Sequence, residues 1–414
     1  MYCNGPLQLG KAYRVKSYAC TTTGCTETLY SLPIWTVPDL NVTIMIIGGI
    51  AGAVVFIALV VAIVCMKRSN KLCFKLKTID NTAKEENIYL NDLDSHYVFR
   101  PGSVKMTEFP AYVDHMHKHN NRLFGQAYGM LKDKSPDLPI TTALSQDCQQ
   151  KNRCMDSLPF DHSRVKLRKA DNIDGADYIN ANYIPGYNSR GEYIATQGPL
   201  RTTFDDFWRM IWEQKVDIIV LLTNLAENGT LQCDMYWPED EPVFYGNILV
   251  SKHSERDLSL YKLCIFEIKL NKEHRRIKHF WFNKWSDAEC PERPVMFFDF
   301  VKAVQKAKTP AVNGGPSVVH CSDGVGRTGT YIAVDHLLQH IRGHDDVDIY
   351  QLVLDMREHR CNMVQTEAQF VFIYDCLKAF VKVGHDNDGH MYQNTQLGTE
   401  QIEHTYEALN FKRK

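Results

Sequence analysis

The chain has 414 residues, 44% of them apolar and 23% charged, the balance of a folded protein and not of a disordered one. Its 47 basic and 49 acidic residues nearly cancel, which argues against a nucleic-acid-binding protein. By length alone it holds two or three domains.

Residues 1–40 read as the end of a β domain. Period-two alternation over residues 12–19 predicts a half-buried strand, with turns at Asn4-Gly5-Pro6 and Thr23-Gly24. So short a segment cannot bury a sandwich core, so further strands are expected upstream. Residues 42–66 carry no charge and are rich in Ile, Val, Ala and Gly. A helix needs ~20 apolar residues to cross a bilayer, so a single transmembrane helix is expected here. Lys67, Arg68, Lys71, Lys75 and Lys77 follow it, whereas the near N-terminal flank carries Asp39. That bias places the C-terminal side in the cytoplasm and the N-terminus outside, in all expectation at the plasma membrane. The first 20 residues lack the apolar run of a signal peptide, so the span is its own anchor or the chain is a piece of a longer receptor; the second is favoured. Of 13 cysteines, Cys3, Cys20 and Cys25 precede the span. Cys20 and Cys25 are able to pair in an oxidising compartment, and the inner cysteines stay reduced. Asn41-Val-Thr43 is a glycosylation sequon on the outer side, close to the bilayer. Residues 67–100 form a polar juxtamembrane linker. Its basic stretch would attract anionic membrane lipid at ~1 kcal/mol per charge, though a stop-transfer anchor is the plainer role.

From residue 101 to 383 helical and strand patterns alternate. Helices are expected at 108–130, 203–214, 329–342 and 365–383, and strands at 193–196, 217–222, 246–253, 261–270, 279–282 and 317–320. That order predicts an α/β layered domain, a mixed twisted sheet flanked by helices. Residues 384–414 form a polar tail, and no internal repeat is visible.

Within this domain, Ser317-Val-Val-His-Cys-Ser-Asp-Gly-Val-Gly-Arg-Thr-Gly329 carries the chemistry. An apolar β-branched run ends in His320-Cys321, and Arg327 and a helix-forming run follow. Loop N–H groups and a helix N-terminus then converge on one spot, an anion site. The same field favours the thiolate of Cys321. Arg327 offers a planar two-pronged donor for phosphate oxygens. A thiolate in a phosphate cradle means phosphoryl transfer through a cysteinyl-phosphate. A lone cysteine would be read as a buried structural one; this spacing after a strand would not.

Residues 101–383 resemble the cytoplasmic catalytic domain of receptor-type protein tyrosine phosphatases. The outer segment, with its Asn-Gly-Pro-Leu and Tyr-Arg-Val pieces, resembles the last strands of a fibronectin type III module. Together they point to the single-domain, fibronectin-repeat receptors, acting on phosphotyrosine-containing proteins and answering to an extracellular ligand that the sequence does not identify. The resemblance implies Cys321 as nucleophile. Arg327 and the loop residues Ser322, Asp323, Gly324, Val325 and Gly326 would hold the phosphoryl group. Thr328 would donate to the sulfur as it leaves. Asp287, in Trp285-Ser-Asp287, would be the general acid that protonates the leaving tyrosyl oxygen and then the base for water. Gln365 and Gln369, in Gln365-Thr-Glu-Ala-Gln369, would place that water. Glu227 would pin the loop arginine. In Lys151-Asn-Arg-Cys-Met-Asp156, Asp156 would accept hydrogen bonds from the substrate main chain and Cys154 would face the substrate ring. Asp177-Tyr-Ile-Asn-Ala-Asn-Tyr-Ile184 and Thr196-Gln-Gly-Pro199 match motifs read as packing. His320 is read as a structural hydrogen-bonding residue, and neither a metal nor a cofactor is expected, since the cysteines are not spaced as a zinc site.

Four departures from the family pattern fall in or near the site. Asp323 stands where active members have Ala, and Cys154 where a Tyr stacks on the substrate. Ser286, Glu289 and Cys290 replace Pro, Gly and Val beside the general acid, and Gln232 replaces a lysine. Asp323 is the costliest, since a carboxylate near the phosphate repels it and disfavours the thiolate. Two readings follow: a working phosphatase of reduced activity, which is preferred, and a pseudophosphatase that only binds phosphotyrosine or a partner. A dual-specificity or lipid phosphatase shares the loop, but the long domain and the Lys-Asn-Arg motif argue against it.

Overall fold

The computed structural model describes residues 98–168, 175–285, 290–308 and 315–385, together with four short strands nearer the N-terminus. The chain divides into two compact units, Met1–Leu93 and Asp94–Lys414. In the first, Ala12–Tyr13 pairs antiparallel with Ile34–Trp35, and Tyr18–Thr21 with Gly24–Glu27. The strand expected at 12–19 is thus described at its two ends. Cys20 lies directly opposite Cys25 in that register. Among the described residues no helix is long and apolar enough to cross a membrane. The expected span at 42–66, the linker through residue 97 and the tail from 386 lie outside them.

The second unit is built on a nine-stranded sheet. In chain order its strands are β1 (Arg164–Lys166), β2 (Tyr178–Ile184), β3 (Tyr193–Thr196), β4 (Ile218–Leu221), β5 (Val243–Tyr245), β6 (Ile248–Asp257), β7 (Lys262–Leu270), β8 (Glu273–Trp281) and β9 (Ser317–His320). Their spatial order is β5-β6-β7-β8-β4-β9-β3-β2-β1. The central four, β8, β4, β9 and β3, run parallel, and the flanking pairs antiparallel, so the sheet is mixed as expected. Side chains alternate between two faces along a strand. Ile218, Val220, Val319, Tyr193 and Ala195 enter one apolar cluster, and Ile219, Leu221, Val318 and Ile194 the other. A strand covered on both faces reads as an unbroken apolar run, which is why Ser317–His320 stood out in the sequence.

One face is covered by α1 (Phe109–Met116), α2 (Lys118–Lys134), α4 (Pro294–Ala307), α5 (Gly326–His340), α6 (Ile349–Arg357) and α7 (Glu367–His385); α3 (Phe204–Glu213) covers the other. Several details differ from expectation. The single helix expected at 108–130 is two, broken where His119, Asn120 and Asn121 take left-handed φ of 53°, 57° and 62°. Asn tolerates that conformation, and the joint is tied by His117, whose ring bonds Asn121 Oδ1 and Asp375 Oδ1 at 2.8 Å each. Strand β8 begins six residues earlier than the expected 279, because its first half, Glu273-His-Arg-Arg276, is charged and lacks an alternating apolar face. Helices α4 and α6 add to the expected set; α4 buries Phe297, Phe298, Phe300, Val301 and Val304, too broad a face to read as a stripe.

Candidate active site

The parallel strands bring their carboxyl ends to one edge, where open α/β sheets place their ligand crevices. Strand β9 delivers Cys321 there. Helix α5 starts at Gly326, three residues before its expected start, so Arg327 and Thr328 lie in its first turn. Glycines make the turn possible. Gly324 has φ of 71°, and a side chain there would meet the Thr196 carbonyl oxygen at 2.1 Å. A pocket of about 270 Å³ opens above the loop, lined by Glu227, Gln232, Cys321, Ser322, Asp323, Gly326, Arg327, Gln365, Thr366 and Gln369.

Cys321 is 5% exposed, and the Thr328 hydroxyl reaches its sulfur at 3.4 Å. Arg327 is held end-on by Glu227, Nη1 to Oε1 at 2.7 Å and Nη2 to Oε2 at 2.8 Å. Glu227 also accepts from the Thr223 hydroxyl and the Asn224 N–H. Burial alone would raise the Glu227 carboxyl, but the Arg327 bonds and charge, helped by those donors, hold it below its ordinary value. The two-point pair fixes the guanidinium plane without using Nε. Arg327 Nη1 further reaches the Trp285 carbonyl at 3.4 Å, and its guanidinium carbon sits 5.7 Å from the Trp285 ring centre. Ser286, Asp287 and Glu289, next in sequence, lie outside the described residues; Cys290 is half-buried.

His320 is fully buried and takes no part in the pocket. Its Nδ1 faces the Cys321 carbonyl at 3.3 Å, which can only accept, so the proton is on Nδ1. Its Nε2 then accepts from the Tyr236 hydroxyl at 2.8 Å, and the Tyr236 oxygen accepts from His279 Nε2 at 2.8 Å. His279 Nδ1, left with a lone pair, has no partner. Burial pushes His320 down to about 4; burial and then the His320 charge push His279 down to about 3. Both rings are neutral in the fold and protonate more easily once unfolded. Their contribution is therefore fully present above the unfolded value near 6.5 and is lost as pH falls from 6.5 toward about 4 for His320 and about 3 for His279. Urea unfolding should show stability falling by ~2–4 kcal/mol between pH 7 and 5; a flat profile over that range would remove the neutral-chain assignment.

Sequence reasoning missed Arg360. Its guanidinium is fully buried, with Nε on the Gly324 carbonyl (2.9 Å) and Nη2 on the Asp323 carbonyl (3.0 Å) and Asn180 Oδ1 (2.8 Å). Nη1 takes Asn182 Oδ1 at 2.7 Å. Arg360 thus holds two successive loop carbonyls and fixes the main chain of the phosphate loop. Burial lowers the Arg360 guanidinium from its usual value, and neighbouring Cys361, Tyr178, Cys321 and Asp323 act against that. The segment read as packing therefore carries two polar anchors. Asn180 and Asn182, both buried two residues apart on an otherwise apolar strand, were the available signal.

Asp156 and Cys154 sit beside this edge, exposed and half-buried. Their segment is clamped by Gln197, which accepts from Arg153 N–H and donates to the Lys151 carbonyl, 2.8 Å each. From the other side Asn362 Nδ2 donates to the Asp156 carbonyl at 3.1 Å. Asp323 and Gln232 both line the pocket. Gln365 is exposed at its mouth, while Gln369 is 5% exposed and spends its Oε1 on the N–H groups of Gln365 and Thr366.

Residues 148–379 match the family model for protein-tyrosine phosphatase. The chain belongs to the protein-tyrosine phosphatase family. It is 35% identical over 384 residues to receptor-type tyrosine-protein phosphatase V of Rattus norvegicus, covering 91% of this chain and 22% of that protein. It is 38% identical over 337 residues to receptor-type tyrosine-protein phosphatase zeta of the same species, covering 75% of this chain and 14% of that one. Receptor-type tyrosine-protein phosphatase eta of Mus musculus is 40% identical over 299 residues, with 72% of this chain and 24% of the relative covered. The chain thus spans less than a quarter of the length of these curated relatives. The phosphatase domain it contains is a mixed sheet with flanking helices, as the resemblance implied.

Proposed function

We propose that this chain hydrolyses phosphotyrosine in proteins through a cysteinyl-phosphate. The observation that carries the reading is the convergence of the Cys321 sulfur, the Thr328 hydroxyl, the first turn of α5 and the Glu227-braced Arg327 on one pocket. In the first step the Cys321 thiolate attacks phosphorus, an S–P bond forms and the aryl P–O bond breaks. Asp287, in the segment after Trp285, gives its proton to the departing phenolate, a poor leaving group with pKa ≈ 10. Loop N–H groups and Arg327 hold the phosphoryl oxygens, worth most where they meet charge that grows in the transition state. In the second step water attacks phosphorus, its proton goes to Asp287, and the S–P electron pair returns to Cys321. Thr328 donates to the thiolate as it leaves, and Gln365 with Gln369 places the water. Asp156 holds the substrate main chain. No cofactor enters these steps.

Asp323 and Gln232 on the pocket wall and Cys154 beside it support reduced turnover, and they favour one second reading, a phosphotyrosine-binding receptor without catalysis. The wider architecture belongs to the same proposal: a fibronectin-like segment and an extracellular ligand outside, residues 42–66 across the plasma membrane, a basic linker near anionic lipid, and the phosphatase domain inside. The purified full chain should release phosphate from a phosphotyrosine peptide. Peptide binding without release would give the function to the second reading; neither binding nor release would end both.

A further inference from the structure

The turn from α6 to α7 is strained where Gln365 leaves it. Val364 has φ of 59°, a strained left-handed value that a β-branched residue rarely adopts. Such a conformation persists only if its surroundings over-determine it, and here they do. The Val364 N–H donates to the Val325 carbonyl of the phosphate loop at 3.2 Å. Arg357 Nε takes the Met363 carbonyl at 2.9 Å, and its Nη2 the Val364 carbonyl at 2.8 Å. The Tyr128 hydroxyl, from α2, donates to the Gln365 carbonyl. Gln369 Oε1 accepts from the Gln365 N–H at 2.9 Å and the Thr366 N–H at 3.3 Å. The turn also lies flat on α5, where a side chain at Gly329 would meet Val364 N at 2.5 Å. The main-chain polar groups of Val364 and Gln365 are all engaged, and the Gln365 side chain is left to line the pocket beside Cys321 and Arg327.

Arg357 is 2% exposed, and its partners carry no charge: two carbonyls, the Ser135 hydroxyl 2.8 Å from Nη1, and the Tyr128 side chain, whose ring centre lies 5.5 Å from the guanidinium carbon. A buried guanidinium without a carboxylate is a poor way to add stability, since an apolar side chain would fill the volume at less desolvation. What only the fork provides is a simultaneous grip on two successive carbonyls of a strained turn. We propose that Arg357 and Tyr128 are positioning residues for Gln365, holding its main chain so that its side-chain amide presents water to the cysteinyl-phosphate. The inference rests on the proposed function and concerns its second step, in which water attacks phosphorus, the S–P bond breaks toward sulfur and the water proton passes to Asp287. A displacement of about 1 Å costs ~100-fold in such a step, whereas the first step does not use Gln365.

The test is pre-steady-state hydrolysis of an aryl phosphate by the full chain, with Arg357→Met, Tyr128→Phe, Gln365→Ala and the Arg357→Met, Gln365→Ala pair. Each single variant should keep the burst of phenol in the first turnover. Its kcat should drop by ~10-fold or more with KM falling in proportion, so that kcat/KM holds. Intact mass should show a phosphoryl group accumulating on the protein. In the Gln365→Ala background, Arg357→Met should remove little more. Loss of kcat and kcat/KM together, or multiplicative losses in the pair, overturns the positioning role. If Arg357→Met does not fold, Tyr128→Phe, which deletes one hydroxyl, decides: an unchanged kcat overturns the proposal. A parent that neither acquires a phosphoryl group nor turns over overturns the phosphatase reading, and this one with it; failure in the variants alone leaves that reading standing.

Discussion

Replacing Cys321 with serine should abolish phosphate release from an aryl phosphate, by ~1,000-fold or more, a loss of ~4 kcal/mol or more in transition-state stabilisation. The cradle lowers the cost of a negative charge at the position where the sulfur sits, buried at 5% exposure with the Thr328 hydroxyl 3.4 Å away. A sulfur at that position is a far better nucleophile and leaving group than a hydroxyl oxygen. The serine oxygen is then a weak nucleophile. His320, the adjacent residue, is turned into the core toward Tyr236 and stays neutral. The loop N–H groups and Arg327 survive the change, so the variant should still bind a phosphotyrosine peptide. Phosphate release by parent and variant, measured with peptide binding, checks both halves. Turnover within ten-fold of the parent would show that the sulfur is not the nucleophile.

Replacing Asp323 with alanine should act in the opposite direction, raising turnover by ~10-fold or more. Like unit charges ~7–8 Å apart at an effective dielectric near 20 repel by ~2 kcal/mol. A phosphate ester carries up to two such charges, and each 1.4 kcal/mol is about ten-fold in rate. Arg360 tempers the figure, because its buried guanidinium feels the Asp323 charge. Yet Arg360 bonds the main-chain carbonyls of Asp323 and Gly324, not the carboxylate, so alanine keeps the loop in shape. The substitution therefore tests charge separately from geometry. The gain should shrink at high salt, since Asp323 is only half-buried and its field is partly screened. Equal kcat/KM for parent and variant at low salt would remove the repulsion argument.

The loop and its neighbours were readable to different degrees for physical reasons. Cys321, Arg327 and Thr328 lie within eight residues, and their spacing is imposed by a strand, a tight turn and a helix start, all local. Glu227 is 100 residues from Arg327 in sequence, and by itself looks like a solvated turn carboxylate. Only the resemblance singled it out, and the fold brings it to 2.7 Å. Arg357 gave no signal, and Arg360 only the indirect one of its partners Asn180 and Asn182 on an apolar strand. An arginine near a helix end is normally exposed, and what buries these two is the docking of the α6–α7 turn against the phosphate loop. The break between α1 and α2 was missed although His119, Asn120 and Asn121 are poor helix formers, because apolar helical spacing resumes beyond them and the tie from His117 to Asp375 on α7 is tertiary.

Composition and local pattern by themselves determined the α/β class, the apolar central strands and the Gly-rich turn that carries the thiol. These depend on neighbours a few residues apart, and chain stereochemistry dictates them wherever the chain folds. The tertiary structure alone decided which carbonyls face away from the pocket, which guanidinium is braced, and how Gln365 is held at its mouth. The deciding contacts among them join segments 36, 100 and 237 residues apart. Such contacts are chosen by packing and by the demand that buried polar groups find partners, which no short stretch of sequence specifies.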